Sequence, residues 1–565
     1  MKTQPWLKSY PPGARWDTPI EYCPVQSILE TAAKRFGPLP ALQFMDKQIS
    51  YAELDALANR AAVGFQKLGV GPGAHVGLYL PNTPHYAIAF FGVLKAGGTV
   101  VNISPLESLH GLEFKIEDSE IDILVTLDLA SLYPQAEKLL ASTRLKKLIA
   151  GEFAEWALAP DPVKAHMKAG GMLSEPKYGE RLVAFRDLID NDGGFQAHSL
   201  GDLADALAVI QYTGGTTGQP KGAMLTHANL SAACAQYLET TRVGSNPLRE
   251  GEERTLCVLP LFHIYALSVL LILGLRLGAE IVLHPRFDPP AAVRDIALKK
   301  ITIYVGVPTM HIAILNLPDV QAASFSSIKQ CSSGGAPLPY AVQQDFEKLM
   351  GCRLAEGWGM SETSPTGTFT PNVGAARPGS CGIPLPGVEL KFLDVADPTR
   401  EVALGERGEM CIKGPNVMKG YWKQPEATAA AMTADGYLRT GDVAIMGEDG
   451  YVYIVDRIKD MLLVGGFNVY PRNIEEAIYQ HPAVEEAGVI GVPDAYRGEK
   501  PKAFVKLKAG SPPLALDELK AFLKDRLARH EMIGELELRD ELPKTGAGKI
   551  SKKDLREAEE RRRAG

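Results

Sequence analysis

The sequence lacks the features that mark secreted, membrane-spanning and nucleic-acid-binding proteins. Its seven cysteines form no Cys-x-x-Cys pair, which argues against a disulfide scaffold or a zinc site and favours a reducing compartment. Lysine and arginine do not exceed the acidic residues, at 60 against 67, so the chain offers no basic field for nucleic acid. The most apolar run, residues 264–275, is too short to span a bilayer and predicts a buried helix. We therefore expect a cytoplasmic protein without a nucleic-acid partner, with peripheral contact at the inner membrane as the open alternative.

The order of apolar runs predicts an α/β protein with more than one domain. A chain of 565 residues exceeds one ordinary core, and its first half alternates helix-like and strand-like segments. Ser50 and Glu53 match a helix capping box, and the apolar runs 99–103 and 122–126 are typical of buried strands. Residues 152–200 show weaker periodicity, and we expect a surface excursion without chemistry there.

The pattern of apolar residues, glycine and proline changes in the last third of the chain. From about residue 379, short alternating runs indicate small β units, and a compact α+β segment follows Asp456. We predict a large N-terminal domain over residues 1–456, built from layered, mostly parallel sheets with helices and a small β unit. A small, mobile α+β domain is predicted over residues 457–565.

The stretch YTGGTTGQPKG, residues 212–222, has the composition of a phosphate-binding loop. Its glycines leave backbone N–H groups accessible to an anion, its threonines add hydroxyl donors, and Lys221 adds a positive charge. It is not a Walker A loop, because Lys221 is followed by Gly222 and not by a hydroxyl that would hold magnesium. A polar turn explains the composition equally well when the loop is considered alone. The candidate phosphate ligands are Thr213, Gly214, Gly215, Thr216, Thr217, Gly218 and Lys221.

Six further motifs follow this loop in a fixed order. They are LPLFHIY (259–265), SGGAPLP (333–339), EGWGMSET (356–363), YLRTGDV (437–443), DRIKD (456–460) and LPKTGAGK (542–549). The ordered series resembles the motifs of the adenylate-forming superfamily, which includes acyl-CoA synthetases, firefly luciferase and the adenylation domains of peptide synthetases. The resemblance covers nearly the whole chain and is strongest towards bacterial long-chain fatty acyl-CoA synthetases.

The resemblance implies a site for ATP and Mg²⁺. Trp358 would stack on the purine, Asp442 would accept the two ribose hydroxyls, and Glu362 with Thr213 would hold Mg²⁺, to which carboxylate and hydroxyl oxygens are suited. The residues implied to bind ATP or AMP outside the loop are Gly335, Ala336, Pro337, Glu356, Gly357, Trp358, Gly359, Thr363, Asp442 and Arg457.

Lys549 is the lysine that the resemblance places at the reacting bond, so that Lys549, Glu362 and Thr213 form the implied catalytic set. A cation and Mg²⁺ would stabilise the charge that develops on the α-phosphoryl oxygens. No general base is needed, because a carboxylic acid is already ionised at pH 7. The sequence around Lys549 also resembles the sites at which bacterial lysine acetyltransferases modify this family, and acetylation would remove its charge.

The remaining functional positions concern the acid and CoA. The implied acyl-pocket residues are His263, Ile264, Tyr265, Leu267 and Gly334. Lys459 matches the hinge of the C-terminal domain, and Gly465 and Gly466 match the glycines along which the pantetheine of CoA threads. Leu267 stands where some long-chain relatives carry a tryptophan gate, so no ligand-controlled gate is expected.

These implications predict a medium- or long-chain fatty acid–CoA ligase, which forms acyl-AMP and pyrophosphate and then transfers the acyl group to CoA. A dicarboxylic (pimelate-like) or an aromatic acid is the alternative substrate. A non-catalytic nucleotide-binding protein on the same fold and a luciferase-like oxidase are the alternative classes. The presence of Lys549, Glu362 and Asp442 argues against a non-catalytic protein. Whether the protein is a monomer or a homodimer stays open.

Overall fold

The computed structural model describes residues 4–213, 220–244, 246–318, 320–374, 377–546 and 548–564. Two large sheets organise the first three quarters of the chain. The strands of the first sheet are, in spatial order, Gly420–Tyr421, Lys221–Thr226, Leu207–Thr213, Thr99–Asn102, His75–Leu78, Ile121–Leu127, Lys147–Gly151 and Leu182–Ala184. Its pairs are parallel from Leu207–Thr213 to Leu182–Ala184 and antiparallel at the other edge. The buried strands predicted within 99–103 and 122–126 are confirmed.

The second large sheet is parallel except for the hairpin at one edge. Its strands are, in spatial order, Leu354–Glu356, Gln330–Ser333, Ile303–Gly306, Arg254–Cys257, Glu280–Leu283, Pro40–Phe44 and Lys47–Ser50. The carboxyl ends of parallel strands lie at one edge of a sheet, where ligand sites of α/β proteins occur.

Smaller antiparallel units follow, as the short alternating runs predicted. One sheet contains Glu389–Leu393, Gly408–Lys413, Leu438–Met446 and Val452–Arg457, and a two-stranded unit contains Thr368–Phe369 and Ile383–Pro384. A separate C-terminal sheet contains Phe467–Val469, Leu462–Val464, Gly498–Leu507 and Val484–Asp494 in antiparallel pairing, and Glu535–Leu538 pairs parallel with Gly498–Leu507.

Helices cover the faces of these sheets. The α-helices are Val25–Phe36, Tyr51–Lys67, Pro84–Lys95, Leu109–Asp118, Tyr133–Ser142, Pro160–Ala169, Phe185–Leu188, His227–Thr241, Ile264–Ala266, Leu273–Arg276, Pro289–Leu298, Pro308–Leu315, Tyr340–Met350, Pro425–Ala431, Pro471–Tyr479, Leu516–Leu523 and Lys552–Ala564. The 3₁₀ turns are Pro5–Ser9, Phe153–Trp156, Ala322–Phe325, Ser361–Thr363 and Ile458–Asp460, and Leu267–Ile272 is a π-helical segment.

Local sequence explains several of these boundaries. The predicted capping box is present: the Ser50 hydroxyl accepts from the N–H of Glu53, whose carboxylate accepts from the N–H of Ser50. The helix that begins at Tyr51 packs closely on Pro84–Lys95, since a Cβ at Gly92 would lie 2.6 Å from the Cβ of Ala61.

Two segments differ from the sequence predictions. Within 152–200, where a surface excursion was expected, the strand Leu182–Ala184 extends the first large sheet by parallel pairing with Lys147–Gly151. Leucines at 516, 519, 523 and 527 stand at helical spacing and predict one amphipathic helix, but the helix that begins at Leu516 ends at Leu523. In the turn that follows, the N–H groups of Arg526 and Leu527 both donate to the carbonyl oxygen of Leu523.

The apolar run 264–275 lies in the large core as one continuous helical segment, whose middle part, Leu267–Ile272, is π-helical. Among the described residues, no helix combines the length and the apolar character that crossing a membrane requires.

Candidate active site

The two ends of the predicted phosphate loop are held together by the first large sheet. Thr213 ends one strand and Lys221 begins the next, and the two residues are paired in antiparallel register. The Thr213 hydroxyl donates to the carbonyl oxygen of Lys221 at 3.4 Å. The loop therefore leaves the sheet at the carboxyl end of a strand whose other neighbour is parallel. The remaining candidate loop ligands, Gly214, Gly215, Thr216, Thr217 and Gly218, lie outside the described residues.

Glu362 lies on a 3₁₀ turn, Ser361–Thr363, that packs against both of these strands. Its side chain is buried, and one carboxylate oxygen accepts a 2.9 Å hydrogen bond from the hydroxyl of Tyr421. Burial raises the pKa of Glu362, while the Tyr421 hydroxyl and the charge of Arg457 oppose that shift. Thr363 is fully buried on the same turn.

Tyr421 also contacts the loop lysine, since the ammonium of Lys221 lies 4.9 Å from the centre of its ring. The sequence did not single out Tyr421. Its short strand, Gly420–Tyr421, reaches the site by pairing with Lys221–Thr226. No local sequence pattern predicts that pairing.

Asp442 joins two of the predicted nucleotide-binding residues. Its carboxylate accepts a 2.8 Å hydrogen bond from the indole N–H of Trp358 and another of 2.8 Å from the guanidinium of Arg457. The antiparallel register places Asp442 opposite Arg457, which explains the ion pair. The sequence motifs 356–363 and 437–443 thus meet in space.

The glycines beside Trp358 allow close chain approaches. A Cβ at Gly359 would lie 1.4 Å from the carbonyl oxygen of Pro365, so no other residue fits without a backbone shift. A Cβ at Gly357 would lie 3.1 Å from the carbonyl oxygen of Thr368.

The segment 334–337 follows the strand Gln330–Ser333 at its carboxyl end. Gly335 has a positive φ of 76°, and Ala336 and Pro337 are partly or fully exposed beside it. Gly334 lies against Tyr265, because a Cβ there would be 2.8 Å from the phenolic oxygen.

Lys549 reaches this segment from the C-terminal part of the chain. A Cβ on Gly335 would lie 2.9 Å from Cε and 3.3 Å from Nζ of Lys549, so the lysine lies directly over the glycine. Thr309 fixes the lysine's loop by donating a 2.6 Å hydrogen bond to the carbonyl oxygen of Gly548. A cavity of about 230 Å³ surrounds the ammonium group, with His263 and Tyr265 among its walls.

The charges around Lys549 set its protonation. Burial, together with the positive charge of Arg457, lowers the pKa of Lys549 to about 8, and the negative charge of Asp442 partly opposes this. Burial and the neighbouring Lys549 lower the pKa of His263 to about 3, so His263 is neutral at pH 7. A neutral imidazole of such low basicity does not suit a general base, in agreement with a reaction that needs none.

A larger open cavity, of about 810 Å³, lies on the other side of Tyr265. Its apolar walls include Val269, Leu273, Val305 and Phe369.

Polar groups on the wall of this cavity include Glu356, whose pKa burial raises to about 7. Among the described residues that line it, none is lysine, arginine or histidine. Two of the predicted acyl-pocket residues, Ile264 and Leu267, are fully buried in the core and line neither cavity.

The predicted hinge and CoA positions lie on the surface of the C-terminal unit. Lys459 is exposed on the turn Ile458–Asp460, directly after the strand that ends at Arg457. Gly465 and Gly466, with φ of 59° and 85°, form the tight turn between two short strands. Both glycines are exposed.

Comparison with known proteins identifies this arrangement. The model of the AMP-binding enzyme family matches residues 29–422, and that of the AMP-binding enzyme C-terminal domain matches residues 473–549. The chain belongs to the AMP-binding enzyme family. The α/β class and the division into a large and a small part are shared with solved CoA ligases of this family.

Its relatives include proteins named long-chain-fatty-acid–CoA ligase. That of Bacillus subtilis is 38% identical, with 99% of both chains covered, and that of Salmonella typhimurium is 36% identical, with 98% of both chains covered. An anthranilate CoA ligase solved with anthranoyl-AMP gives a TM-score of 0.85 at 27% identity, over 97% of this chain and 99% of that one. ATP-bound MatB from Rhodopseudomonas palustris gives 0.81 at 29% identity, over 94% and 98%.

Proposed function

We propose that this protein is a medium- to long-chain fatty acid–CoA ligase with ATP, CoA and a fatty acid as its substrates. The observation that carries the proposal is the position of Lys549 over Gly335, in a small cavity that borders the larger one at Tyr265. A carboxylate held beside the ammonium of Lys549 would have its hydrocarbon chain directed past Tyr265.

In the first step, a carboxylate oxygen of the acid attacks the α-phosphorus of ATP, and the bond to the β-phosphate oxygen breaks to release pyrophosphate. Lys549 would bind the acid's carboxylate and the α-phosphoryl oxygens, where negative charge develops. Arg457 would place a second positive charge near the α-phosphate, since it lies close enough to Lys549 to lower the pKa of that lysine. Asp442 would accept the ribose hydroxyls, with Trp358 against the purine.

Glu362 and Thr213 are the oxygen donors that we propose for Mg²⁺. Glu362 is a buried carboxylate on a turn packed against the strand that ends at Thr213, and carboxylate and hydroxyl oxygens are hard ligands. When bound there, Mg²⁺ would neutralise charge on the phosphates of ATP. The loop residues 213–221 would hold the β- and γ-phosphates, the part that leaves as pyrophosphate.

In the second step, the thiol of CoA attacks the acyl carbon, the carbon–oxygen bond to AMP breaks, and the thioester and AMP leave. Lys549 and Gly548 contact the N-terminal part in the present arrangement, so access for CoA requires that this loop withdraw. We propose that residues 457–565 rotate about Lys459 as a unit. This would bring Gly465 and Gly466 to the path of the thiol.

The substrate assignment rests on the large cavity and on the relatives. The cavity is open to solvent, and its walls are largely apolar, with Val269, Leu273 and Phe369 among them, which suits a hydrocarbon chain. The lack of a lysine, arginine or histidine among its described lining residues disfavours a dicarboxylic acid, whose second charge would need a partner. An aromatic acid remains the alternative, since one solved relative is named an anthranilate CoA ligase and another a benzoate CoA ligase.

We also propose that a lysine acetyltransferase regulates the enzyme by acetylating Lys549. Loss of the charge would stop adenylation and leave thioester formation from preformed acyl-AMP intact. Full pyrophosphate release by acetylated protein would contradict it.

The deciding experiment measures CoA-dependent AMP formation with saturated acids from C2 to C18, α,ω-dicarboxylic acids and benzoates. We expect the highest kcat/KM among acids of medium or long chain. A preference for benzoates or short acids would overturn the substrate assignment, and absence of AMP formation with every acid would overturn the reaction.

A further inference from the structure

Tyr421 is held rigidly at the edge of the first large sheet. Tyr421 pairs with Ala223, two positions after Lys221, and the residue is 9% exposed. Its backbone N–H donates a 2.9 Å hydrogen bond to the hydroxyl of Thr428 in the following helix. Backbone pairing on one side and this bond on the other fix where the ring lies.

The hydroxyl of Tyr421 binds one carboxylate oxygen of Glu362. It donates to Oε1 of Glu362 at 2.9 Å, and the neighbouring Met418 N–H donates to the backbone carbonyl of Glu362 at 2.8 Å. A buried carboxylate without a donor is costly, and a hydrogen bond to the ionised group favours it and fixes its rotamer. One short segment, 418–421, thus holds both the backbone and the side chain of Glu362.

The ring of Tyr421 contacts Lys221 at the end of the loop. The Lys221 ammonium lies 4.9 Å from the ring centre, within the range of a cation–π contact. Such a contact is weaker than a charge-assisted hydrogen bond to phosphate. Lys221 can therefore leave the ring when a phosphate arrives.

We propose that Tyr421 is a positioning residue of the nucleotide site, which aims the Glu362 carboxylate with its hydroxyl and holds the Lys221 ammonium with its ring. The inference rests on the proposed function and adds to it a residue that links the carboxylate proposed for Mg²⁺ to the loop lysine. It predicts that the hydroxyl and the ring have separable effects.

The chain offers a matched control in Tyr437. Its hydroxyl donates to Glu389 at 2.7 Å, and the ammonium of Lys391 lies 4.5 Å from its ring centre. This trio has the same chemistry as Tyr421, Glu362 and Lys221. Tyr437 stands directly before the strand Leu438–Met446, and these contacts are to the strand Glu389–Leu393 of the same small sheet, whereas the nucleotide-site contacts of motif 437–443 are made by Asp442.

The first test measures ATP binding by calorimetry on the full chain without any acid, at increasing Mg²⁺ concentrations. We expect Tyr421→Phe to raise the Mg²⁺ concentration for half-maximal enhancement of ATP binding about 10-fold, as for loss of a hydrogen bond to a charged group. ATP affinity without Mg²⁺ should not change. Tyr437→Phe should leave both quantities at the wild-type values.

The second test measures acetylation of Lys221 by an amine-reactive reagent, followed by mass spectrometry. In Tyr421→Phe the ring remains and the labelling rate should match wild type, whereas in Tyr421→Leu it should rise several-fold. Equal rates in wild type and Tyr421→Leu would overturn the proposed role of the ring.

A double-mutant cycle keeps the inference testable if Tyr421→Phe lowers stability. In a Glu362→Gln background, Tyr421→Phe should add no further Mg²⁺ effect, because the aimed charge is already gone. An unchanged Mg²⁺ dependence in Tyr421→Phe, or the same shift in Tyr437→Phe, would overturn the inference. Absence of Mg²⁺-dependent ATP binding in wild type would instead overturn the proposed function.

Discussion

The hydroxyl of Thr309 donates a 2.6 Å hydrogen bond to the carbonyl oxygen of Gly548, the residue before Lys549. Thr309 lies at the start of the helix Pro308–Leu315, next to the sheet that carries Gly335. This bond ties the loop of Lys549 to the wall of the small cavity. In the function proposed above, this bond belongs to the arrangement for adenylation and would break when the loop withdraws for CoA.

Replacing Thr309 by Val should therefore affect one half-reaction. The rate of pyrophosphate release should fall about 2- to 10-fold, since a neutral hydrogen bond contributes about 1 kcal/mol. Thioester formation from synthetic acyl-AMP and CoA should keep its rate. Thr399→Val, which removes a hydroxyl bonded to Asp397 in an exposed turn, is the control and should alter neither rate. Equal losses in both half-reactions would contradict the role given to Thr309.

The two lysines of the site should differ in what they contribute. Lys549→Ala should lower the rate of acyl-AMP formation about 100- to 1,000-fold, because a preorganised charge at the reacting centre is lost. Lys221→Ala should mainly raise KM for ATP, since Lys221 is placed at the loop and against Tyr421. Single-turnover measurements of acyl-AMP separate the two effects. Equal losses in that rate would refute this division.

Adenylation should decline in alkaline solution because of Lys549. Its pKa is lowered from 10.5 to about 8, so its ammonium is charged below that pH and becomes neutral as the pH rises through it. The pH profile of kcat/KM for ATP, which reports the free enzyme, should therefore fall above about pH 8.

The phosphates of bound ATP raise the pKa of a neighbouring ammonium, so the corresponding fall in kcat should lie at higher pH. His263 does not titrate in this range, because its pKa is lowered to about 3. A profile of kcat/KM that is flat from pH 7 to 10 would contradict the assignment. In Lys549→Ala, the alkaline fall should disappear from the residual activity.

Sequence motifs predicted those parts of the site that lie within short stretches of chain. Trp358, Glu362 and Asp442 could be proposed because each stands in a recognisable local pattern, and the structure brings Trp358 and Asp442 into contact. The buried strands within 99–103 and 122–126 followed from apolar runs, whereas the strands Lys221–Thr226 and Gly420–Tyr421 beside the loop were not predicted.

Contacts made across long separations could not be predicted in this way. Thr309 and Gly548 are 239 residues apart, and Tyr421 reaches Glu362 through strand pairing at a sheet edge. Likewise, helical spacing did not reveal which residues of the run 264–275 face a cavity. Val269 and Leu273 line the large cavity, whereas Leu267 faces the core. These outcomes depend on sheet register and on a π-helical turn, which local sequence does not specify.

The large cavity should set the length of the acid. Val269→Phe adds bulk to its wall and should lower kcat/KM for C16 acids about 10-fold relative to C8 acids. Val342→Phe, on the helix Tyr340–Met350 away from both cavities, is the control and should leave the chain-length profile unchanged. Kinetics over the saturated series checks this. A uniform loss at all lengths would show that Val269 does not discriminate by length.

The phenol of Tyr265 borders both cavities and presses on Gly334, so one ring separates the charged end of the site from its apolar interior. A bound acid would meet different surroundings on the two sides of that ring. Substituents on the carbons next to the carboxylate would meet the Tyr265 ring, whereas changes towards the methyl end would meet the wider cavity beyond it. Tolerance should therefore increase along the chain, which makes α-branched acids poor substrates and ω-modified acids acceptable ones.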